Sequence, residues 1–193
     1  MEAWEEIAVM LMDKNKFTFS SRFEASMAAA LDIMGIKFSY KNLQFYINSA
    51  DEAITYTPDF TLEVTRDSKP VIIETHGKRY LDKRFIGKMH SFMESSASKE
   101  YYTIIIMDKK PKKPDKLKIE LKKYGYEAED ICNEVWRIPY NAELGIQLSI
   151  KNDEGSLYTK LNSLRRGENT SKYKVSIEPR KESMHMKHLS MVY

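Results

Sequence analysis

Two short stretches carry residue types that can do chemistry. Tyr56-Thr57-Pro58-Asp59-Phe60 closes one apolar run, and Val71-Ile72-Ile73-Glu74-Thr75-His76-Gly77-Lys78 closes the next. An acid after proline and an acid-x-base triplet describe two adjacent strands whose carboxylates can meet. Carboxylates gathered at one end of a sheet offer oxygen ligands to a hard divalent cation. Such a cation activates water and neutralises charge developing on a phosphodiester. The chemistry expected is metal-dependent phosphodiester hydrolysis.

Glu74 carries most of this expectation. It interrupts an otherwise apolar run, and a buried carboxylate without a partner is expensive. Strand periodicity places Glu74, His76 and Lys78 on one face, with Ile73, Thr75 and Gly77 on the other. His76 can ligate a metal or orient the attacking water. Lys78 can stabilise charge at phosphorus. Gly77 lets the chain turn tightly and a phosphate come close. Asp59 stands in a strand setting that disfavours Asp, where a turn or bulge is its ordinary explanation. Glu24 is the third acid. The spacing Ser21-x-x-Glu24 also gives it a complete local role in a capping box.

The elements that must position these residues follow from periodicity. Phe23, Met27, Leu31 and Met34 recur at helical spacing, so a helix is predicted at about 21–34, with Gly35 as its left-handed cap. Residues 3–13 suit a short amphipathic helix. Ile36, Phe38 and Tyr40 alternate with polar residues as in a half-buried strand, and Phe45 and Ile47 extend that pattern beyond Lys41-Asn42. A loop is expected at 48–52. Residues 54–64 read as a strand in which Pro58 implies an edge or a bulge. Turn residues at 66–70 make 54–64 and 71–76 an antiparallel hairpin. Leu81, Phe85, Met89, Phe92 and Met93 predict a helix, and Tyr101 to Met107 a strand buried on both faces. A crossover helix between those last two strands implies a mixed sheet. Weaker signals place a helix at 117–124, a strand at 135–138 and a helix at 157–164.

The fold class is therefore α/β, a central mixed sheet flanked by helices in the order αβββαβ. Residues 1–108 form the expected core. Residues 109–193 are a basic linker and C-terminal extension, packed on the core or trailing it.

Composition sets the outer limits. The chain has 193 residues, 42% of them hydrophobic, with 12 Tyr and 8 Phe, enough for a substantial core. No apolar run reaches the roughly 18 residues of a membrane span. The acidic start, MEAWEEIAVM, does not read as a secretory leader. The single Cys132 excludes an internal disulfide and a cysteine zinc site. An intracellular setting is expected. His90, His185 and His188 show no metal-ligand pattern, and no phosphate-binding loop, GxSxG or HExxH occurs. Net charge is only +3, but lysines cluster at 109–123 and basic residues at 78–88. Lys83, Arg84, Lys88, Lys109, Lys110, Lys112 and Lys113 are the expected contacts to a phosphate backbone.

Together these motifs carry a resemblance. Ser21-x-x-Glu24, the Gly35-Ile36-Lys37-Phe38-Ser39-Tyr40 strand, Tyr56-Thr57-Pro58-Asp59-Phe60 and Glu74-Thr75-His76-Gly77 agree in order and spacing over residues 20–108, about half the chain. The segment resembles the phage endonuclease I family of junction-resolving enzymes, within the PD-(D/E)xK nuclease superfamily. It is also similar to that superfamily's transposon-end nucleases. The resemblance implies a restriction-endonuclease-like core, with Glu24, Asp59 and Glu74 binding metal and Thr75 adding its carbonyl. It implies two Mg²⁺ or Mn²⁺ ions per site and branched or four-way-junction DNA as substrate. It also implies a homodimer with exchanged segments.

One departure is plain. The family pattern has lysine where this chain has His76. Lys78 can supply the ammonium instead, or His76 can serve as a nitrogen ligand favouring Mn²⁺. The departure also fits a DNA-binding module with little activity, and a partner-directed, transposon-end type of nuclease is the third reading.

Overall fold

The computed structural model describes residues 18–48, 53–77, 81–108, 117–141, 145–146 and 156–167. The expected helix at 3–13, residues 49–52 of the loop expected at 48–52, Lys78, the lysines at 109–113 and the tail beyond 167 lie outside these residues; Asn48, the first residue of that loop, instead ends a strand.

Helix α1 (Arg22–Ile33) begins where Ser21 accepts a hydrogen bond from the Glu24 N–H. It ends at Gly35, whose φ of 65° lets its N–H reach Asp32 O and the next N–H reach Leu31 O. These paired bonds satisfy the carbonyls at the helix end. Strand β1 (Phe38–Tyr40) follows, then a ribbon of β2 (Phe45–Asn48) against β3 (Ala53–Tyr56). Strands β4 (Phe60–Arg66) and β5 (Lys69–His76) form the expected antiparallel hairpin. Its turn residues, Asp67 and Ser68, both have positive φ (49° and 64°), as a two-residue hairpin turn matched to strand twist requires. Helix α2 (Lys83–Glu94) leads to β6 (Tyr102–Asp108), which runs parallel to β5. Helix α3 (Leu117–Lys122) precedes β7 (Glu134–Ile138), parallel to β6. A short pair, β8 (Tyr140–Asn141) and β9 (Gly145–Ile146), precedes α4 (Leu157–Arg166).

The main sheet is mixed and five-stranded, ordered β1-β4-β5-β6-β7. The protein is thus α/β, with helices on both faces of the sheet. On one face Phe60, Leu62, Ile73, Ile104, Ile106 and Trp136 pack against α1 and α4. On the other, Ile72, Ile105 and Met107 pack against α2, α3 and the β2–β3 ribbon. All seven residues of β6 are buried, as a central strand covered on both faces demands. Strand β7 completes the sheet and α4 contributes Leu157, Leu161 and Leu164 to its core, so these two elements beyond residue 108 are part of the packed body.

Two expected strands are divided. The alternation from Ile36 to Ile47 breaks at Lys41, whose φ of 46° turns the chain out of β1. The expected strand 54–64 breaks at Thr57-Pro58-Asp59, where proline has no N–H to give to a ladder. Its first half joins the ribbon and its second half joins the main sheet. Both breaks fall beside the acidic residues.

Candidate metal centre

The break at Pro58 sets Asp59 immediately before β4, beside the end of β1. Tyr40 pairs with Phe60, and the Lys41 N–H donates to Asp59 O at 2.9 Å. On its other side β4 pairs with β5, Phe60 facing Ile73. The Asp59 carboxylate therefore reaches the end of β5. Its Oδ2 accepts from the Thr75 N–H at 2.8 Å and the Thr75 hydroxyl at 2.7 Å. The residue that follows Glu74 thus anchors Asp59, a role for its N–H and hydroxyl that the sequence did not reveal.

Glu24 joins this group from the first turn of α1. Its carboxylate accepts from Ser20 N–H at 3.2 Å, from the Ser21 hydroxyl at 3.1 Å and from the Tyr40 hydroxyl. The Lys41 ammonium lies 3.4 Å from Glu24 Oε2 and 3.6 Å from Asp59 Oδ1. It also donates to Ser20 Oγ at 2.6 Å. One lysine therefore bridges two of the three acids. Burial and the Glu24 charge raise the Asp59 pKa, against the opposing pull of Thr75 and Lys41. Burial alone would lower Lys41, but Tyr40, Glu24 and Asp59 together raise it.

Glu74 lies on the opposite face of the sheet, the face of α2. Its Oε1 accepts from the Lys88 ammonium at 2.6 Å. Its Oε2 is buried and has no hydrogen-bond partner among the described residues. The Tyr56 hydroxyl is near this carboxylate and equally buried, yet the two groups do not meet hydrogen-bond geometry. Burial drives the Glu74 pKa from 4.5 to about 7, Lys88 pulls it down, and the Asp59 charge pushes it up. Burial, with Glu74 and Asp59 nearby, also lifts Tyr56 well above its ordinary value.

The structure thus brings Glu24 and Asp59 together through Lys41, and ties Asp59 to the end of β5 through Thr75. It does not gather all three acids around one point. Among the described residues, no group of three or more His, Cys, Asp and Glu side chains is arranged to hold a metal ion. The reason is alternation along β5, which turns Glu74 toward α2 while Thr75 faces Asp59. His76 shares the Glu74 face as expected, and its ring packs on Phe85 with centroids 4.2 Å apart. Gly77 lies close to α1, where an added Cβ would meet Phe23 Cβ at 3.4 Å.

The basic residues divide. Lys83 and Arg84 are exposed on the first turn of α2, where a phosphate could reach them. Lys88, expected at the phosphate backbone, instead has its ammonium on Glu74. The reason is its helical position between Phe85 and Phe92, both buried against the sheet, which turns its stem inward. Lys41, Tyr40 and Tyr56 escaped the sequence reading as site residues. The signal for Lys41 was the abrupt end of the β1 alternation, and for Lys88 its flanking place on the apolar face of α2.

No family model, no curated protein and no solved structure matches this chain. Among the described residues no helix is long and apolar enough to cross a membrane.

Proposed function

We propose that this chain is a metal-dependent DNA endonuclease acting on branched substrates, related to the endonuclease I family of the PD-(D/E)xK superfamily. One observation carries the reading. The acid of the Pro-Asp motif is hydrogen-bonded through Oδ2 to the residue that follows the acid of the Glu-x-His motif. Two motifs distant in sequence therefore act at one end of the sheet, with Glu24 joined to them through Lys41.

The donor set suits Mg²⁺ or Mn²⁺, since its atoms are hard carboxylate oxygens. Glu74 Oε2, buried and without a hydrogen donor among the described residues, has ligand capacity left over. Asp59 and Glu74, close enough that the Asp59 charge raises the Glu74 pKa although their carboxylates approach the end of the sheet from different faces, would hold the ion, with Glu24 as the adjoining acid. A bound ion would activate water and offset charge on the phosphodiester. The protein's own groups supply the rest. Thr75 fixes the Asp59 carboxylate, while Ser20, Ser21 and Tyr40 fix Glu24. Lys83 and Arg84 offer charge to the DNA backbone. A homodimer would present two such centres to the two strands of a junction.

The test is a denaturing gel of a four-way junction and its linear arms, each incubated with Mg²⁺, Mn²⁺ or chelator. The expected result is metal-dependent nicking of the junction in preference to the arms. Cleavage that persists in excess chelator would reject the reading. A second reading, a DNA-binding module without activity, draws on the lysines already seated on the carboxylates. Junction binding without divalent-metal binding would favour it. Cleavage of linear duplex that demands a partner protein would instead indicate a transposon-end type of nuclease.

A further inference from the structure

Two lysines sit on the acidic residues, and they differ in what their ammonium groups have left to give. Lys41 donates to Ser20 Oγ and faces two carboxylates, so its donors are engaged. Lys88 makes a single hydrogen bond among the described residues, to Glu74 Oε1 at 2.6 Å. An ammonium carries three donors, so two have no hydrogen-bond partner among the described residues.

Its position is nonetheless fixed. The Lys88 nitrogen lies 5.0 Å from the Tyr56 ring centroid and 5.3 Å from that of Phe85, two aromatic faces that favour a cation. About a third of its side chain (31%) reaches solvent. A preorganised, accessible cation with unspent donors is suited to a developing negative charge. His76 is on the same face but already packed on the Phe85 ring.

Taking the nuclease reading as given, we infer that Lys88, from α2, is the catalytic ammonium of this site, facing a non-bridging oxygen of the scissile phosphate. In the hydrolysis it assists, a water oxygen forms the new bond to phosphorus and the bond to the leaving oxygen breaks. One water proton passes to solvent and the leaving oxygen takes a proton from solvent. Lys88 stays protonated throughout, giving charge and a hydrogen bond but no proton.

The obvious rival is that Lys88 only neutralises buried Glu74. Lys88→Arg separates the two roles, because arginine keeps the charge and the pairing but changes where donors point. Single-turnover cleavage of the junction in Mn²⁺ is compared for wild type, Lys88→Arg, Lys88→Met and the surface control Lys37→Met. Melting temperature and Mn²⁺ affinity are measured alongside. The expected result is a loss of about 100-fold or more in Lys88→Met, the range for removing one stabilising donor. Lys88→Arg, folded and still binding Mn²⁺, is expected to lose about tenfold, and Lys37→Met nothing. A wild-type rate in Lys88→Arg would overturn the inference and leave the nuclease reading standing, even if Lys88→Met does not fold. No cleavage by wild type in either metal would overturn both.

Discussion

Asp59 and Thr75 are joined twice, by the Thr75 N–H at 2.8 Å and its hydroxyl at 2.7 Å, both to Asp59 Oδ2. Because Thr75 follows Glu74 directly, this pair of hydrogen bonds locks two acidic motifs into one register across the β4–β5 hairpin. The bonds also hold down the pKa of a carboxylate that burial pushes up.

Thr75→Val keeps the shape and removes the hydroxyl donor. Hydrogen bonds to charged groups contribute about 1.5–3 kcal/mol, so a loss in that range is expected. Urea unfolding at pH 7.5 measures it, and a loss well below 1 kcal/mol would show that the backbone N–H alone suffices.

Glu74 makes stability depend on pH in an unusual direction. Its folded pKa of about 7 exceeds its ordinary 4.5, so the folded chain holds this proton more tightly than the unfolded chain. Glu74's contribution to stability is full below about pH 4.5, falls as pH rises from there and levels off above about 7. The contribution at stake is about 3 kcal/mol, taken at ~1.4 kcal/mol per unit. Asp59 shifts the same way. Glu74→Gln is expected to flatten the profile, which urea midpoints at pH 5 and 7.5 in chelator will show.

The Tyr56 hydroxyl is buried without a hydrogen-bond partner among the described residues. Removing such a group costs nothing and can help. Tyr56→Phe is expected to leave thermal stability unchanged or raise it by about 1 kcal/mol, read from a melting curve. A marked loss would mean that the hydroxyl bonds to Glu74 in solution.

Lys41 has a left-handed backbone and bridges Glu24 and Asp59. Lys41→Met removes the bridge and keeps the strained backbone. Lys41→Gly removes the bridge and relieves a strain of about 1–2 kcal/mol. The glycine variant is therefore expected to be more stable than the methionine variant by about 1 kcal/mol, measured by urea unfolding.

Much of this arrangement was legible in the chain itself. Period-two alternation put Glu74 and His76 on one face and Thr75 on the other, and the Asp67-Ser68 turn fixed the hairpin that brings Asp59 to β5. The apolar run of β6 announced a central strand. What stayed hidden depends on tertiary placement. Lys41 reads as a solvated residue until the turn after Tyr40 swings it over Asp59. Lys88 reads as surface charge until α2 packs on β5. The strand breaks at Lys41 and Pro58 were marked by residue type, but where the freed segment went, into a ribbon of its own, was set by pairing between Phe45–Asn48 and Ala53–Tyr56.

Calorimetric titration of Mn²⁺ into wild type, Asp59→Asn and Glu74→Gln reports most directly on whether these two acids serve one ion. A shared site predicts that each single variant weakens binding by at least about tenfold, with the melting curve showing a folded protein. Equal Mn²⁺ binding by all three, or none by wild type, would contradict it.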